Sequence, residues 1–475
     1  MRRLACVIVL TAACAGCAPT HPGPRATPLV PPGSGLLLIY LQPLPREADG
    51  VRAELGSIAA VRADGTAHPL ALGLSVLDGS EARRQRLLAS GAVPAGTYLG
   101  IELRVASARV AGEAGGGELS VPVEPRRIEV PFTVTDQGAR TLKVGLPRDA
   151  PVVRGYAFEP AFAAGIPRAT EIAPSATAVA TVGGSAVLAV FHKLTGEVFE
   201  VLRTANGPRG VAYDPERQRA YVACSGGDVV EVFDLARGAR EQSFPLLLGD
   251  RPSGLALSPD GLTLVVANGG SNTVVVLDAP ALAERFRVTV GREPVAVLFD
   301  PGGARVFVLQ YGNDSLSIVD VTRGVPLGTI VLESGPVFGA FDPRGGVLYV
   351  IHRHSPFLAV VDLRELRVAS RPYVGSGAEA IAVDPRNGRL YVSRTGVGRL
   401  EVFDPSSLLP VETLDVGGDA SYLAVDGETE QLLAAVPAAR QVRILRLAGG
   451  AGSSAVELGG EPAWVDVAGR SRDGP

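Results

Sequence analysis

Residues 255–268 read Leu-Ala-Leu-Ser-Pro-Asp-Gly-Leu-Thr-Leu-Val-Val-Ala-Asn: an apolar run, a Ser-Pro-Asp-Gly turn, and a second apolar run that ends on Asn268. Proline presets φ and glycine frees it, so the stretch spells a hairpin of two buried strands. The turn recurs as Asp214-Pro215, Asp300-Pro301, Asp342-Pro343, Asp384-Pro385 and Asp426-Gly427, each between two apolar runs. The turn prolines stand at 215, 259, 301, 343 and 385, spaced by 44 and then three times by 42 residues. Each period holds four short runs, here 255–257, 263–267, 273–277 and 285–290. Four strands of about five or six residues with their turns fill one β-propeller blade. A helical repeat would carry a 3.6-residue period, which these runs lack.

The second runs end as Tyr221-Val222-Ala223-Cys224, Val265-Val266-Ala267-Asn268, Phe307-Val308-Leu309-Gln310, Tyr349-Val350-Ile351-His352 and Tyr391-Val392-Ser393-Arg394. With Ser258-Pro259-Asp260-Gly261 before the second of these and Ser271-Asn272-Thr273 after it, residues 175–470 resemble the repeat family named after Tyr-Val-Thr-Asn. That resemblance implies a β-propeller and no particular activity. First strands begin near 211, 255, 297, 339, 381, 423 and 465, which makes seven. The runs at 178–181, 187–191 and 198–202 lack a first strand, and Trp464-Val465-Asp466-Val467 lacks strands after it. The expectation is therefore an all-β chain with a seven-bladed propeller whose C-terminal strand closes the first blade, leaving no open edge.

Residues 34–153 alternate apolar and polar positions over 36–41, 58–62, 101–105, 128–134 and 141–146, which predicts an antiparallel β-sandwich. Val93-Pro94-Ala95-Gly96-Thr97-Tyr98 and the later Leu119-Ser120-Val121-Pro122-Val123 resemble a family of bacterial lipoprotein-associated sandwiches of unknown function. The resemblance brings no catalytic residues, and Tyr98 reads as a buried turn anchor. Residues 154–174 read as a linker and 471–475 as a tail.

The chain opens with Arg2 and Arg3, an apolar run over 4–13 and small residues, the layout of an export signal over 1–16. Ala15-Gly16-Cys17 resembles the end of a bacterial lipobox, which implies lipidation of Cys17; Thr11-Ala12-Ala13-Cys14 competes, and an ordinary cut near Ala18 is the alternative. Residues 17–33 hold six prolines and read as a stiff tether. The expected address is a bacterial envelope, at the outer membrane and facing the periplasm or the cell surface, with the lipid as the contact with the membrane.

The 475 residues include 58 Gly and 37 Pro, a turn-rich composition that still carries 46% hydrophobic residues. That balance excludes collagen, a long coiled coil and outright disorder. Formal charge is −4, and the only lysines are Lys143 and Lys193. From residue 171 onward, 27 Arg and Lys face 35 Asp and Glu, which opposes nucleic-acid binding. A monomer is expected.

Chemistry is sparse. No Cys-x-x-Cys-His exists for a covalent haem, and Cys224 among Ala223, Ser225 and Gly226 reads as a small buried hydrophobe. The Asp-Pro aspartates, and Asp234, Asp278, Asp320, Asp362 and Asp404 after the third strands, read as turn residues. His352-Arg353-His354 places two histidines on one side of an extended strand, too few ligands for a metal site. No catalytic residue, cofactor or metal is expected.

Positions that break the repeat point to a rim site. Gln310, His352 and Arg394 succeed Asn268 at equivalent strand ends, with Tyr311 and His354 in the loops that follow. Loops leading into first strands add Arg209, Arg251, Arg292, Glu379, Tyr422 and Trp464 around the same mouth. A mixed polar and aromatic rim fits a protein or small-molecule partner. Replacing His352 and Arg394 is expected to weaken capture and spare stability, whereas replacing Asp342 and Asp384 should do the reverse. The function expected is a non-catalytic binding scaffold; a metal-dependent lactonase or hydrolase at the channel mouth is the alternative.

Overall fold

A computed structural model describes residues 30–80, 82–111, 116–147, 152–448 and 452–469. The signal, Cys14 and Cys17, and the 471–475 tail lie outside the described residues. Seven four-stranded antiparallel sheets follow one another in the repeat, each laid out from its first strand outward. Blade 3 is Pro252–Leu257, Thr263–Asn268, Thr273–Asp278 and Ala283–Thr289. Second strands are buried along almost all of their length, and along the whole of it in Thr263–Asn268, because each blade is covered on both faces by its neighbours. Fourth strands of blades 2 to 6 face water and most turn polar, as in Ala283–Thr289, whereas that of blade 1, Val198–Arg203, is buried under the N-terminal domain.

Blade 1 closes the ring. The last strand, Pro462–Val467, pairs antiparallel with Thr177–Val182 as its innermost strand. Lys193 reinforces this join: its Nζ lies 2.8 Å from Asp426 Oδ2 of blade 7 and donates to the Ala468 carbonyl at 2.9 Å. The turn aspartates behave as their sequence positions require. Asp384 Oδ1 accepts from Arg386 N at 2.9 Å, and Asp278 Oδ1 accepts from Ala281 N at 2.8 Å.

The N-terminal domain is the sandwich-like all-β unit expected, with one parallel pairing among its antiparallel ones. Ten of its strands form one continuous sheet that curls around a single core, and Val153–Arg154 pairs with Ala157–Phe158 as a separate two-stranded sheet. Within the large sheet, Ser34–Leu41 pairs antiparallel with Arg86–Pro94 and parallel with Ala139–Gly145. The apolar run at 36–41 is unbroken for a physical reason. Leu37, Ile39 and Leu41 enter this domain's core, while Leu38 and Tyr40 enter the propeller's. Tyr98 is the buried anchor expected, stacked on Phe132 with ring centroids 5.1 Å apart and donating to the Pro94 carbonyl. Residues expected as linker contribute to this domain: Ala163–Gly165 adds to the sheet against Ala139–Gly145, and Phe158 fills the core.

The two domains are joined by buried polar contacts on the outer strands of blades 1 and 7. Gln85 bonds both backbone groups of Val198, and Tyr40 donates its hydroxyl to the Glu457 carbonyl at 3.0 Å. Burial, with Glu457 beside it, pushes the Tyr40 phenol far above its ordinary range. Glu457 receives Arg86 Nε at 2.7 Å and Leu87 N at 2.8 Å. Lys143 sits 3.7 Å over the Phe199 ring and 2.8 Å from Glu197.

Candidate functional site

The loops expected to share one face do so. Backbone N–H groups after the second strands donate to carbonyls of the loops that lead into the first strands: Tyr311 to Glu293, Arg353 to Gly335 and Thr395 to Gly377. This ring of bonds builds the rim.

The rim residues themselves divide sharply. Gln310 and His352 are fully buried, as are Asn268 and Cys224 at the equivalent ends. This corrects their reading as exposed rim groups, because the second strand is covered through its last residue and a polar side chain there must bond internally. Asn268 Nδ2 donates to Thr273 Oγ1, Gln310 spans Ser315 and Ser317, and His352 Nδ1 donates to the Phe357 carbonyl at 2.9 Å. Arg394 is half-buried and grips Glu401 through Nε at 2.9 Å and Nη2 at 2.5 Å. His352 and Arg394 are thus parts of their hairpins, and the expectation that both could be removed without loss of stability is reversed. Cys224 lies 3.7 Å from Glu231 Oε2, and burial pushes its thiol far up.

Tyr422 and Trp464 also leave the rim. They lie inside first strands, buried, with rings stacked at 4.0 Å. Phe338 meets both edge-on, at 5.4 Å and 5.2 Å. The matching positions of blades 2, 3, 4 and 6 are Gly210, Gly254, Ala296 and Ala380. A Cβ on Gly254 would stand 2.8 Å from the Val295 carbonyl oxygen, so that side of the channel has no room for a side chain. Three large rings and four minimal residues therefore fill one layer of the channel.

Arg209, Arg251 and Arg292 stay exposed on the rim. Around blades 4 to 6 the rim is an ordered polar surface. Tyr311 Oη and His354 Nε2 lie 2.7 Å apart, Arg353 Nη2 donates to Glu379 Oε2 at 2.5 Å, and Thr395 Oγ1 donates to Glu379 Oε1 at 2.9 Å. His352 and His354 face different partners and do not converge. Among the described residues no group of three or more His, Cys, Asp or Glu is placed to hold a metal ion.

Two aromatic residues escaped the sequence reading. Phe357 and Tyr373 meet edge-on at 6.1 Å and are exposed beside the Tyr311–His354 pair's loop. The available signal was Pro356 and Pro372. Lacking N–H groups, they cannot donate to the ladder, and blade 5 has short outer strands, Ala359–Asp362 and Arg367–Ser370. Bonds from Leu358 N to the Pro372 carbonyl and from Val374 N to the Pro356 carbonyl hold the pair in place beyond them.

No family model matches the chain, and no curated protein matches it. Among solved structures it is similar to hydrazine synthase of Kuenenia stuttgartiensis, with a TM-score of 0.52 and 18% identity over 58% of this chain and 94% of that one. It is also similar to a functionally unknown protein of Desulfotomaculum acetoxidans DSM 771, with a TM-score of 0.52 and 11% identity over 59% and 99% of the two chains. At such identities the likeness is one of fold, that of the seven-bladed β-propeller this chain carries.

Proposed function

We propose that this chain is an exported lipoprotein, acylated at Cys17, that serves as a non-catalytic scaffold for an envelope protein contacting the rim of blades 4 to 6. In the same reading its repeats are of the Tyr-Val-Thr-Asn type. The observation that carries the proposal is the exposed set of His354, Phe357 and Tyr373, with the half-buried Tyr311, beside the Arg353–Glu379 pair. Aromatic and arginine side chains dominate binding energy at protein interfaces; hydrogen bonds already hold Tyr311, His354 and Arg353, and Phe357 and Tyr373 brace one another edge-on, so little ordering cost remains on binding. Export and anchoring rest on the 1–33 sequence.

The test is a photo-crosslinking amino acid at Tyr373 in the full-length protein, in its native envelope, with Val411 on the outer strand of blade 6 as the control position. The expected result is an adduct from position 373 that is absent from 411 and lost in Tyr311→Ala/His354→Ala. Equal adducts from both positions, or none from 373, overturn the rim assignment. Stoichiometric calcium or zinc in the purified protein would turn the reading to a metal-dependent hydrolase.

A further inference from the structure

The outer strand of a propeller blade keeps one open edge, whose unpaired N–H and C=O groups can template another strand, and proteins guard such edges with charged side chains or cover them. In this ring the outer strands of blades 1 and 7 are taken up by the N-terminal domain: Val198 exchanges bonds with Gln85, and the Ala455 carbonyl accepts from Arg84. Those of blades 2, 3, 5 and 6 carry charge, as at Arg240, Glu284, Arg367 and Glu412. Blade 4 has neither protection. Its outer strand, Val325–Val331, lies at the end of its sheet and reads Val-Pro-Leu-Gly-Thr-Ile-Val, with no charged residue. Leu327 is 48% exposed and Val331 75%, an apolar row facing water.

The ladder inside the blade fixes which groups point out. Leu332 N donates inward to the Asp314 carbonyl at 2.9 Å, and Ile330 stands opposite Leu316 and Thr329 opposite Ser317. Inward and outward groups alternate along an antiparallel edge, so Ile330 bonds inward while Thr329 and Val331 turn their N–H and C=O groups to solvent. Pro326 has no N–H to offer, which limits the usable edge to Leu327–Val331, a segment centred on Thr329. The charges flanking the strand are opposite in sign. Arg323 precedes it, 3.9 Å from Asp320 and with its side chain 78% exposed; Glu333 follows it and accepts from Arg371. Antiparallel pairing of this edge with itself sets each Arg323 toward the other copy's Glu333, whereas parallel pairing sets like charges together.

We infer that blade 4 is the contact of a two-fold dimer, in which Leu327–Val331 of two copies pair antiparallel about Thr329. Each Thr329 exchanges backbone bonds with its counterpart, and Leu327 of one copy lies across from Val331 of the other on the same face of the joined sheet. A two-fold contact closes on itself, so assembly stops at the dimer. One short strand pair falls below the roughly 1,200 Å² of a standard interface, so the dimer is weak and set by concentration. This departs from the monomer expected of the sequence, and it rests on the edge of blade 4 alone, not on the rim surface proposed above.

The test uses the full chain in detergent. In sedimentation the protein mass should rise about twofold with concentration. Thr329→Lys, which places two ammonium groups on the axis, should stay at the monomer mass with an unchanged melting temperature. Cα atoms of a hydrogen-bonded antiparallel pair stand about 5.5 Å apart, within disulfide reach. Oxidation with copper phenanthroline should therefore link Thr329→Cys to itself, while Val411→Cys on the outer strand of blade 6 should link no more than the unsubstituted chain. Leu327→Cys mixed with Val331→Cys should form the mixed link in preference to either self-link. A monomer mass at every concentration, a mass rise retained in Thr329→Lys, equal linking at 329 and 411, or no preference in the mixture overturns the inference.

Discussion

Gln85 and Val198 exchange two hydrogen bonds across the domain boundary, Val198 N donating to Gln85 Oε1 at 2.7 Å and Gln85 Nε2 donating to the Val198 carbonyl at 3.2 Å. The side-chain amide thus acts as one rung of a β-ladder on the outer strand of blade 1, and it is buried. Gln85→Leu leaves both backbone groups unpaired in an apolar seam, a cost of about 2 kcal/mol. Calorimetry should show one cooperative transition in the wild type and two in the variant.

Lys193 supplies the buried charge that faces Asp426 where blades 1 and 7 meet. Lys193→Met strands that carboxylate, and removing one partner of a buried pair costs about 3–5 kcal/mol. Lys193→Met combined with Asp426→Asn should recover part of the loss in urea denaturation; no recovery would mean the pair does not couple.

Closing the ring with Pro462–Val467 covers the edge of Thr177–Val182. Deleting 464–475 bares that edge and removes Trp464 from the aromatic layer. The expected outcome is a lower melting temperature and concentration-dependent association in light scattering.

His352 gives the fold a pH dependence. Burial holds its imidazole below the ordinary pKa of 6.5, and Nε2 is enclosed without a partner, so protonation there would bury a charge. The unfolded chain binds that proton more readily, so stability falls as pH drops through about 6.5 and keeps falling until the folded pKa is reached. His352→Gln should lower stability at pH 7.5 by about 1–2 kcal/mol and flatten its fall between pH 7 and 5. His192, also depressed by burial, leaves a residual slope in the variant.

In the proposed reading, anchoring depends on Cys17. Cys17→Ser should move the protein from the detergent phase to the aqueous phase on phase partitioning. Unchanged partitioning of a Cys14→Ser/Cys17→Ser double variant would exclude lipid attachment.

Blade number, strand order and closure were legible in the chain because they are local. An Asp-Pro turn needs only its own residues, and a spacing of 42 counts strands without reference to what they touch. The structural role of the turn aspartates and the burial of Tyr98 and Cys224 were readable on the same ground. What a side chain faces across the ring was not readable. Gln310 and His352 break the repeat and so looked free, yet the neighbouring blades cover the ends of the second strands and force these groups to bond inward. Tyr422 and Trp464, 42 residues apart, were read as loop residues; only ring closure brings their rings to 4.0 Å and sets Phe338, two blades away from Tyr422, against both. The run at 36–41 likewise hid its two destinations, because alternation shows that both faces are apolar and only docking assigns Leu37 to one core and Tyr40 to the other.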